Sequence, residues 1–279
     1  MKSHKILGID IGGSGIKGAP VNVKTGKILK GRYRLDTPDP SSPKAMAEAV
    51  VRIVKHFKWK GPVGCGFPGV IQRGFVRTAA NVDKSWIDTN INKLLSDATG
   101  LHVYAINDAD AAGLAEMKFG AGKDIKGVVL LLTVGIGIGT VLFSNGKLVP
   151  NLEMGHIELH GMDAEKQCSD AVRKDLVLSW EEWAKKFNEY LLSIHALLWP
   201  DLIILGGGAS KKTDKFLDFL KVKAKIVPAK LLNEAGLVGA AIAAKNQSAG
   251  ERKNLKKAKT KKVNTKIAKT KAKFKPACR

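Results

Sequence analysis

Apolar residues recur along the chain in two rhythms, and each change of rhythm marks a new element. An apolar run over residues 5–10, "KILGID", reads as a buried strand. A glycine loop follows, then strands over 16–23 and 27–35 on either side of a "KTGK" turn. The period then lengthens. Ser42 followed by Pro43 is a helix start, with Ser as N-cap and Pro at the first helical position. Met46, Val50, Ile53, Val54 and Phe57 recur behind it at helical spacing. A short strand, "PVGCGF", runs into "GFPGV", and a helix over about residues 88–98 stops at Gly100.

The alternation restarts near residue 102. "HVYAI" reads as a strand and "NDADAAGLAEMKFG" as a helix with Asn/Asp at its head and Gly at its tail. Residues 127–143, "GVVLLLTVGIGIGTVLF", carry no charge and approach the length of a membrane span. A glycine cluster cuts the stretch in half, however, and its Val/Ile content favours two buried strands, 127–134 and 138–143, joined by a turn. A long helix is predicted over about 180–198, after Ser179. Trp180, Trp183, Phe187 and Tyr190 fall near helical spacing on it and are assigned to the core. "DLIIL" is a buried strand ending in "GGGAS", and an Ala/Gly-rich helix closes the pattern at 234–246. Strands alternate with helices in two halves, each opened by a strand and a glycine turn. That order predicts two α/β domains around a cleft.

Composition sharpens this picture at three points. A hydrophobic share of 44% over 279 residues supports a sizeable core. Cys65, Cys168 and Cys278 are far apart and form no CxxC pair, which argues against a disulfide framework or zinc cluster and for a reducing, cytoplasmic setting. The N-terminus lacks the apolar core of a signal peptide. Net charge is +22, and residues 246–279 hold 13 Lys/Arg against one acid, Glu251. The low-complexity "KKAKTKKVNTKIAKTKAKFKP" predicts a disordered tail. It reads as a solvated appendage, a polyanion tether, or a tether to nucleic acid with salt-dependent binding.

Candidate chemistry centres on "KILGIDIGGSGIKGAPV". Gly13, Gly15 and Gly18 satisfy GxGxxG, but a dinucleotide fingerprint must open a helix. Here "APVNVKTGKILKGRYRL" follows and leaves no room for one, so the loop joins two strands of a hairpin. The GxxxxGK[ST] loop is absent as well. Four glycines with Asp10, Ser14 and Lys17 exceed what a plain turn needs. Backbone amides in such a turn can cradle phosphate oxygens, and Asp10 at the strand end suits Mg²⁺. Two further glycine loops, "LLLTVGIGIGT" and "LIILGGGAS", also follow apolar strands, and the set points to a phosphoryl-transfer cleft. Asp108 opens a helix, where a carboxylate can act as N-cap and also reach a substrate hydroxyl. Asp110, two residues on, should point elsewhere.

These residues, together with "GFPGV", "NDADAAGLAE", "EMGHIELHGMDAEK", "LSWEEWAKKFNEYL" and "LLNEAGLVGAA", resemble the ROK branch of the actin-like sugar kinases from about residue 5 to 245. "DIGGSGIKGA" is most similar to the members that use inorganic polyphosphate. The resemblance implies an actin-like, ribonuclease H-like α/β fold of two domains. Residues 1–105, joined by the last helix, 234–246, would form the smaller and 106–233 the larger, with 247–279 as the disordered basic tail. It implies glucose phosphorylation at the 6-hydroxyl with polyphosphate as donor, Mg²⁺ as cofactor, ATP as an open second donor, and dimerisation through the larger domain. Asp108 would be the general base and Asn107 a sugar ligand. Glu153 and His156 would hold sugar hydroxyls, and Glu165 would replace the glutamate of the family's Cys-Leu-Glu motif. Asp10, Gly12, Gly13, Ser14, Gly15 and Lys17 would face the transferred phosphate. Thr133, Gly135, Gly137, Gly139 and Thr140 would form a second phosphate loop, and Gly206, Gly207 and Gly208 would meet a nucleotide.

Many ROK proteins carry a zinc-binding cysteine cluster after the ExGH histidine. Only Cys168 stands there, at the wrong spacing, so no zinc site is expected. No helix-turn-helix of the ROK repressor kind is expected, since the kinase-like pattern begins by residue 5. A strictly ATP-dependent ROK hexokinase remains an alternative. So does a non-catalytic polyanion or nucleic-acid binder acting through the tail, although the intact Asp108 argues against it.

Overall fold

The glycine-rich start folds as the expected hairpin in the computed structural model, which describes residues 4–250. Strands β1 (Lys5–Ile11) and β2 (Ile16–Asn22) pair antiparallel, with Asp10 opposite Lys17. β3 (Tyr33–Leu35) is shorter than the predicted 27–35. Residues 29–32 are exposed there, and only an isolated bridge, Val21 to Ile28, continues the ladder. Helix α1 (Pro43–His56) starts where Ser42 accepts from the Ala45 amide, and it buries Met46, Val50, Ile53 and Val54. β4 (Val63–Phe67) is wholly buried, and β5 (Ile71–Gln72) and β6 (Phe75–Val76) form a small ribbon.

Helix α2 (Ile91–Thr99) begins later than predicted because Asn90 caps it, accepting from the Lys93 amide; a separate 3-10 turn occupies Lys84–Trp86. It ends at Gly100, whose φ of 67° is the left-handed C-cap a glycine allows. β7 (Val103–Asn107) leads directly into α3 (Asp108–Phe119). The uncharged 127–143 stretch is the hairpin of β8 (Val128–Val134) and β9 (Ile138–Ser144). Among the described residues no helix is long and apolar enough to cross a membrane. β10 (Lys147–Val149), the ribbon β11 (Glu158–Leu159) and β12 (Met162–Asp163), and short helices α4 (Glu165–Cys168) and α5 (Asp170–Asp175) follow.

Helix α6 (Trp180–Leu198) matches its predicted bounds. Ser179 accepts from the Glu182 amide while the Glu182 carboxylate accepts from the Ser179 amide, a complete capping box. Trp183, Phe187 and Tyr190 are fully buried, as their spacing predicts. Ser179→Ala removes the cap and lowers stability by about 1 kcal/mol, read as a shifted urea midpoint at unchanged slope. β13 (Leu202–Gly207) and β14 (Lys225–Pro228) complete the strands, and α7 occupies 235–250. That helix continues past the predicted end at 246. The lysine-rich segment beyond residue 250 and Cys278 lie outside the described residues.

Two five-stranded sheets result, ordered β3-β2-β1-β4-β7 and β10-β9-β8-β13-β14. Their apolar clusters show the layering. One face of the first sheet packs on α1 and α2, and its other face packs on α3 and α7. Helix α3 also lies against one face of the second sheet, whose far face covers α6. Helices and sheets thus alternate in five layers, with α3 and α7 in the middle. The middle layer is tight. A Cβ on Gly239 of α7 would strike the Ala111 carbonyl of α3, and one on Gly64 of β4 would strike the Ala240 carbonyl.

Candidate active site

In both sheets the parallel strands end on the edges that carry the glycine loops. β1, β4 and β7 run parallel, with Asp10 beside Gly66 and Phe67 beside Asn107. β8 and β13 run parallel, with Thr133 beside Gly206 and Val134 beside Gly207. Open α/β sheets bind ligands outside the carboxyl ends of such strands. The first of these edges holds Asp10 and Asp108. Both approach the point a side chain on Gly66 would occupy, Asp10 Oδ1 and Asp108 Cα each at 3.6 Å. Glycine at 66 is what leaves that space open.

The electrostatics follow from this crowding. Burial, then the neighbouring Asp10, then Glu153 push Asp108 up to about 7, against a bond from the Ala109 amide. Asp10 is itself raised by burial, with Lys17 across the ladder pulling the other way. The helix cap at this point is Asn107 rather than Asp108: the Asn107 Oδ1 accepts from the Asp110 amide at 3.0 Å. Asp108 is therefore relieved of the capping role its position suggests. Asn107 is buried, and its amide also donates to the Gly69 carbonyl, so these two bonds engage one of its two N–H groups and one of its two lone pairs.

A second group of polar side chains comes from the loop after β10. His156 Nδ1 lies 3.4 Å from Asp163 and 3.8 Å from Glu165, and its Nε2 lies 3.8 Å from Glu153. Burial raises Glu153, which His156 lowers and Glu165 raises further. Sequence reading missed Asp163, although it stands in the same "DAE" triplet as Glu165. It also missed the bonds that hold this loop. Asp110 is 1% exposed and accepts from the Asn151 amide at 2.9 Å; burial pushes it up to about 6. The Asn151 side chain accepts from the Ile71 amide and donates to the Ile71 carbonyl. One asparagine thereby ties the ExGH loop to the strand that follows "GFPGV" and, through Asp110, to α3.

The first glycine loop is closed by Gly12 donating to the Gly15 carbonyl, and by Thr37 donating to the Gly12 carbonyl at 2.6 Å. Not all its glycines serve one purpose: Gly18 makes room for Ile53 of α1, so it is a packing residue. In the second loop a Cβ on Gly135 would meet nothing within 4 Å, Ile136 at the tip is 82% exposed, and a Cβ on Gly137 would strike the Glu165 carboxylate. Glu165 also accepts from the Ile138 amide, which anchors the loop's far end. Thr140 corrects the sequence reading. It is buried, donates to the Leu152 carbonyl and accepts from the Met154 amide. Its hydroxyl supports the ExGH loop instead of facing a phosphate. Gly139 packs on Thr133, whose strand lies beside Gly206. Gly207 has φ 75° and a Cβ there would strike the Val134 backbone, while a Cβ on Gly208 would lie 3.5 Å from the Asp170 carboxylate. Cys168 is buried in α4 with its thiol donating to the Ala164 carbonyl, and burial pushes it up to about 12.

A family model described as the ROK family matches residues 6–172. The chain is 48% identical to the polyphosphate glucokinase of Mycobacterium tuberculosis over 238 residues, 85% of this chain and 90% of that protein. The polyphosphate glucokinase of Mycobacterium leprae is 45% identical over 86% of this chain and 74% of its own length. Among solved structures, the inorganic polyphosphate/ATP-glucomannokinase of Arthrobacter sp. strain KM is similar at a TM-score of 0.84 and 48% identity, covering 88% of this chain and all of that one. A ROK family glucokinase of Streptomyces griseus, solved with glucose and AMPPNP, shares the fold at a TM-score of 0.73 and 24% identity over 87% of this chain and 99% of its own.

Proposed function

The chain belongs to the ROK family, and from that premise we propose that it phosphorylates glucose at the 6-hydroxyl with inorganic polyphosphate as donor. The names of its M. tuberculosis and Arthrobacter relatives support that donor and acceptor. The observation that carries the chemistry is Asp108: a carboxylate at a strand-to-helix junction, beside a second carboxylate, with its proton affinity raised to about 7. Phosphoryl transfer asks mainly for positioning and charge neutralisation.

Asp108 accepts the proton of the sugar 6-hydroxyl as that oxygen bonds to the terminal phosphorus. The anhydride bond to the next phosphate breaks, and the shortened polyphosphate leaves with the electron pair. Glu153 and His156 hold the sugar's other hydroxyls, with Asp163 and Glu165 fixing the imidazole. Asn107 offers its remaining amide N–H. The amides of the Gly12–Gly15 turn and Lys17 face the transferred phosphate, and the Thr133–Gly139 loop closes on the donor from the other sheet. Asp10 has two hard oxygens at a strand end beside the phosphate loop, a donor set that suits Mg²⁺. Such an ion, when bound, supplies neutralising charge to the donor phosphates. ATP is a second donor, reached through Gly206–Gly208. Leu192, Leu197 and Trp199 remain exposed on and just beyond α6, which supports a homodimer through this half of the chain.

A base near 7 has a readable consequence. Below that value Asp108 is protonated and cannot accept, so kcat/KM for glucose falls tenfold per pH unit on the acid side of about pH 7. Initial rates between pH 5 and 9 check this, and a flat acid limb contradicts it. Regiochemistry tests the reaction itself. Glucose with polyphosphate yields glucose 6-phosphate, and 6-deoxyglucose yields no phosphorylated product; phosphorylation of 6-deoxyglucose at the glucose rate overturns the reading.

A further inference from the structure

Strand register lines up three charges. Asp10 on β1 stands opposite Lys17 on β2, and Lys17 stands opposite Arg34 on β3. Directly opposed residues of antiparallel strands share a face, so carboxylate, ammonium and guanidinium form one row across the sheet. With strands about 4.8 Å apart, the row runs about 10 Å outward from Asp10.

The guanidinium at its end is held in place over the phosphate loop. Its Nη2 donates to the Ser14 carbonyl at 2.9 Å, and its Nη1 donates to Asp36 at 2.8 Å. A Cβ on Gly15 would lie 2.8 Å from its Nε, so the glycine there admits the guanidinium. The Arg34 side chain is 53% exposed. Two of its five N–H groups are engaged, which leaves three for an anion. Arg32, just before β3, donates to the Asn233 carbonyl just ahead of α7. Asp36 is the carboxylate paired with Arg34, and it is largely exposed, where its opposing charge is well screened.

We propose that Arg34 is a donor-specificity residue: it binds the polyphosphate groups behind the transferred one and holds the leaving chain along the β2–β3 edge. The assignment rests on polyphosphate as donor. A polyphosphate chain carries negative charge along its length, so a cation row leading away from Asp10 meets a partner at each step. ATP ends in a neutral nucleoside, which the other sheet's Gly206–Gly208 loop would receive, so its chain leaves in another direction. A planar guanidinium fork fits phosphate oxygens in pairs.

A structural alternative exists in the same geometry, since Arg34 also ties down Ser14. Thr37 ties down the same loop through Gly12 without any charge, so Thr37→Val serves as the control. The experiment is steady-state kinetics of the full chain with polyphosphates of defined length and with ATP. It compares wild type, Arg34→Ala, Arg34→Lys and Thr37→Val, each checked for wild-type circular dichroism. Arg34→Ala is expected to raise KM for long polyphosphate on the order of tenfold. KM for glucose, KM for ATP and kcat stay within about threefold. The increase shrinks for the shortest chains and at high salt. Arg34→Lys, which keeps the charge but loses the fork, falls between, and it carries the test if the alanine variant does not fold. Thr37→Val loosens the same loop without removing charge, so any change it brings falls on polyphosphate and ATP alike. An unchanged KM in both Arg34 variants overturns the assignment. So does a rise that ATP shares equally, or a polyphosphate-specific rise that Thr37→Val reproduces. Wild type without turnover on polyphosphate overturns the donor reading itself and this assignment with it.

Discussion

Gly239→Ala is expected to give a chain that melts well below wild type and phosphorylates glucose poorly. The added methyl has no room: it meets the Ala111 carbonyl of α3, a backbone atom that cannot rotate away. Overpacking of this kind costs about 3 kcal/mol when helices must separate, which lowers the melting temperature of a chain this size by about 6–12 °C. The loss of activity follows from where the strain goes. Ala111 lies one turn into the helix that Asp108 opens, and a displacement of about 1 Å at a reacting group can cost about 100-fold. Gly31→Ala is the control. A Cβ on that exposed glycine would meet nothing within 4 Å, so both properties stay at wild type. Thermal melts with activity assays on the two variants check the pair.

Asp108→Asn is expected to lose activity too, but to gain stability. Removing a general base lowers the rate by about 100- to 10,000-fold, and the loss falls on kcat because glucose still meets Glu153, His156 and Asn107. The stability gain has a pH window. The folded chain holds this carboxyl at about 7, against an ordinary value of 3.8. A group raised in this way favours folding below its ordinary value. It loses that contribution as pH climbs through 7, where an ionised, crowded carboxylate opposes folding. Asparagine carries no such cost. The variant therefore melts above wild type at pH 8, and the difference disappears near pH 3. A variant with wild-type kcat removes Asp108 from the chemistry.

The parts of this molecule legible in its sequence are those decided by local chemistry. Ser42–Pro43 and Ser179 with Glu182 fix helix starts through bonds made within four residues, so α1 and α6 begin where predicted. The hairpin after the first glycine loop was legible because Pro20 and the Thr-Gly turn leave no helix room, and that excluded a dinucleotide site. The parts decided by register and tertiary contact were not. β3 shortens because residues 30–32 are exposed and, among the described residues, unpaired by a neighbouring strand. Thr140 sits in a phosphate-loop pattern, yet its hydroxyl is taken by Leu152 and Met154. Asp110 points away from the base position, as expected, but its partner, Asn151, lies 41 residues away. Arg34 enters the row with Asp10 only through two successive strand pairings. Spacing along one strand carries no trace of such a neighbour.

If the crowded Asp10–Asp108 edge moves phosphoryl groups from polyphosphate to glucose, the full chain needs no nucleotide. Incubation with glucose, Mg²⁺ and long-chain polyphosphate alone, followed for glucose 6-phosphate, then gives steady turnover in wild type with one phosphate lost from the polymer per sugar. No product until ATP is added would contradict it.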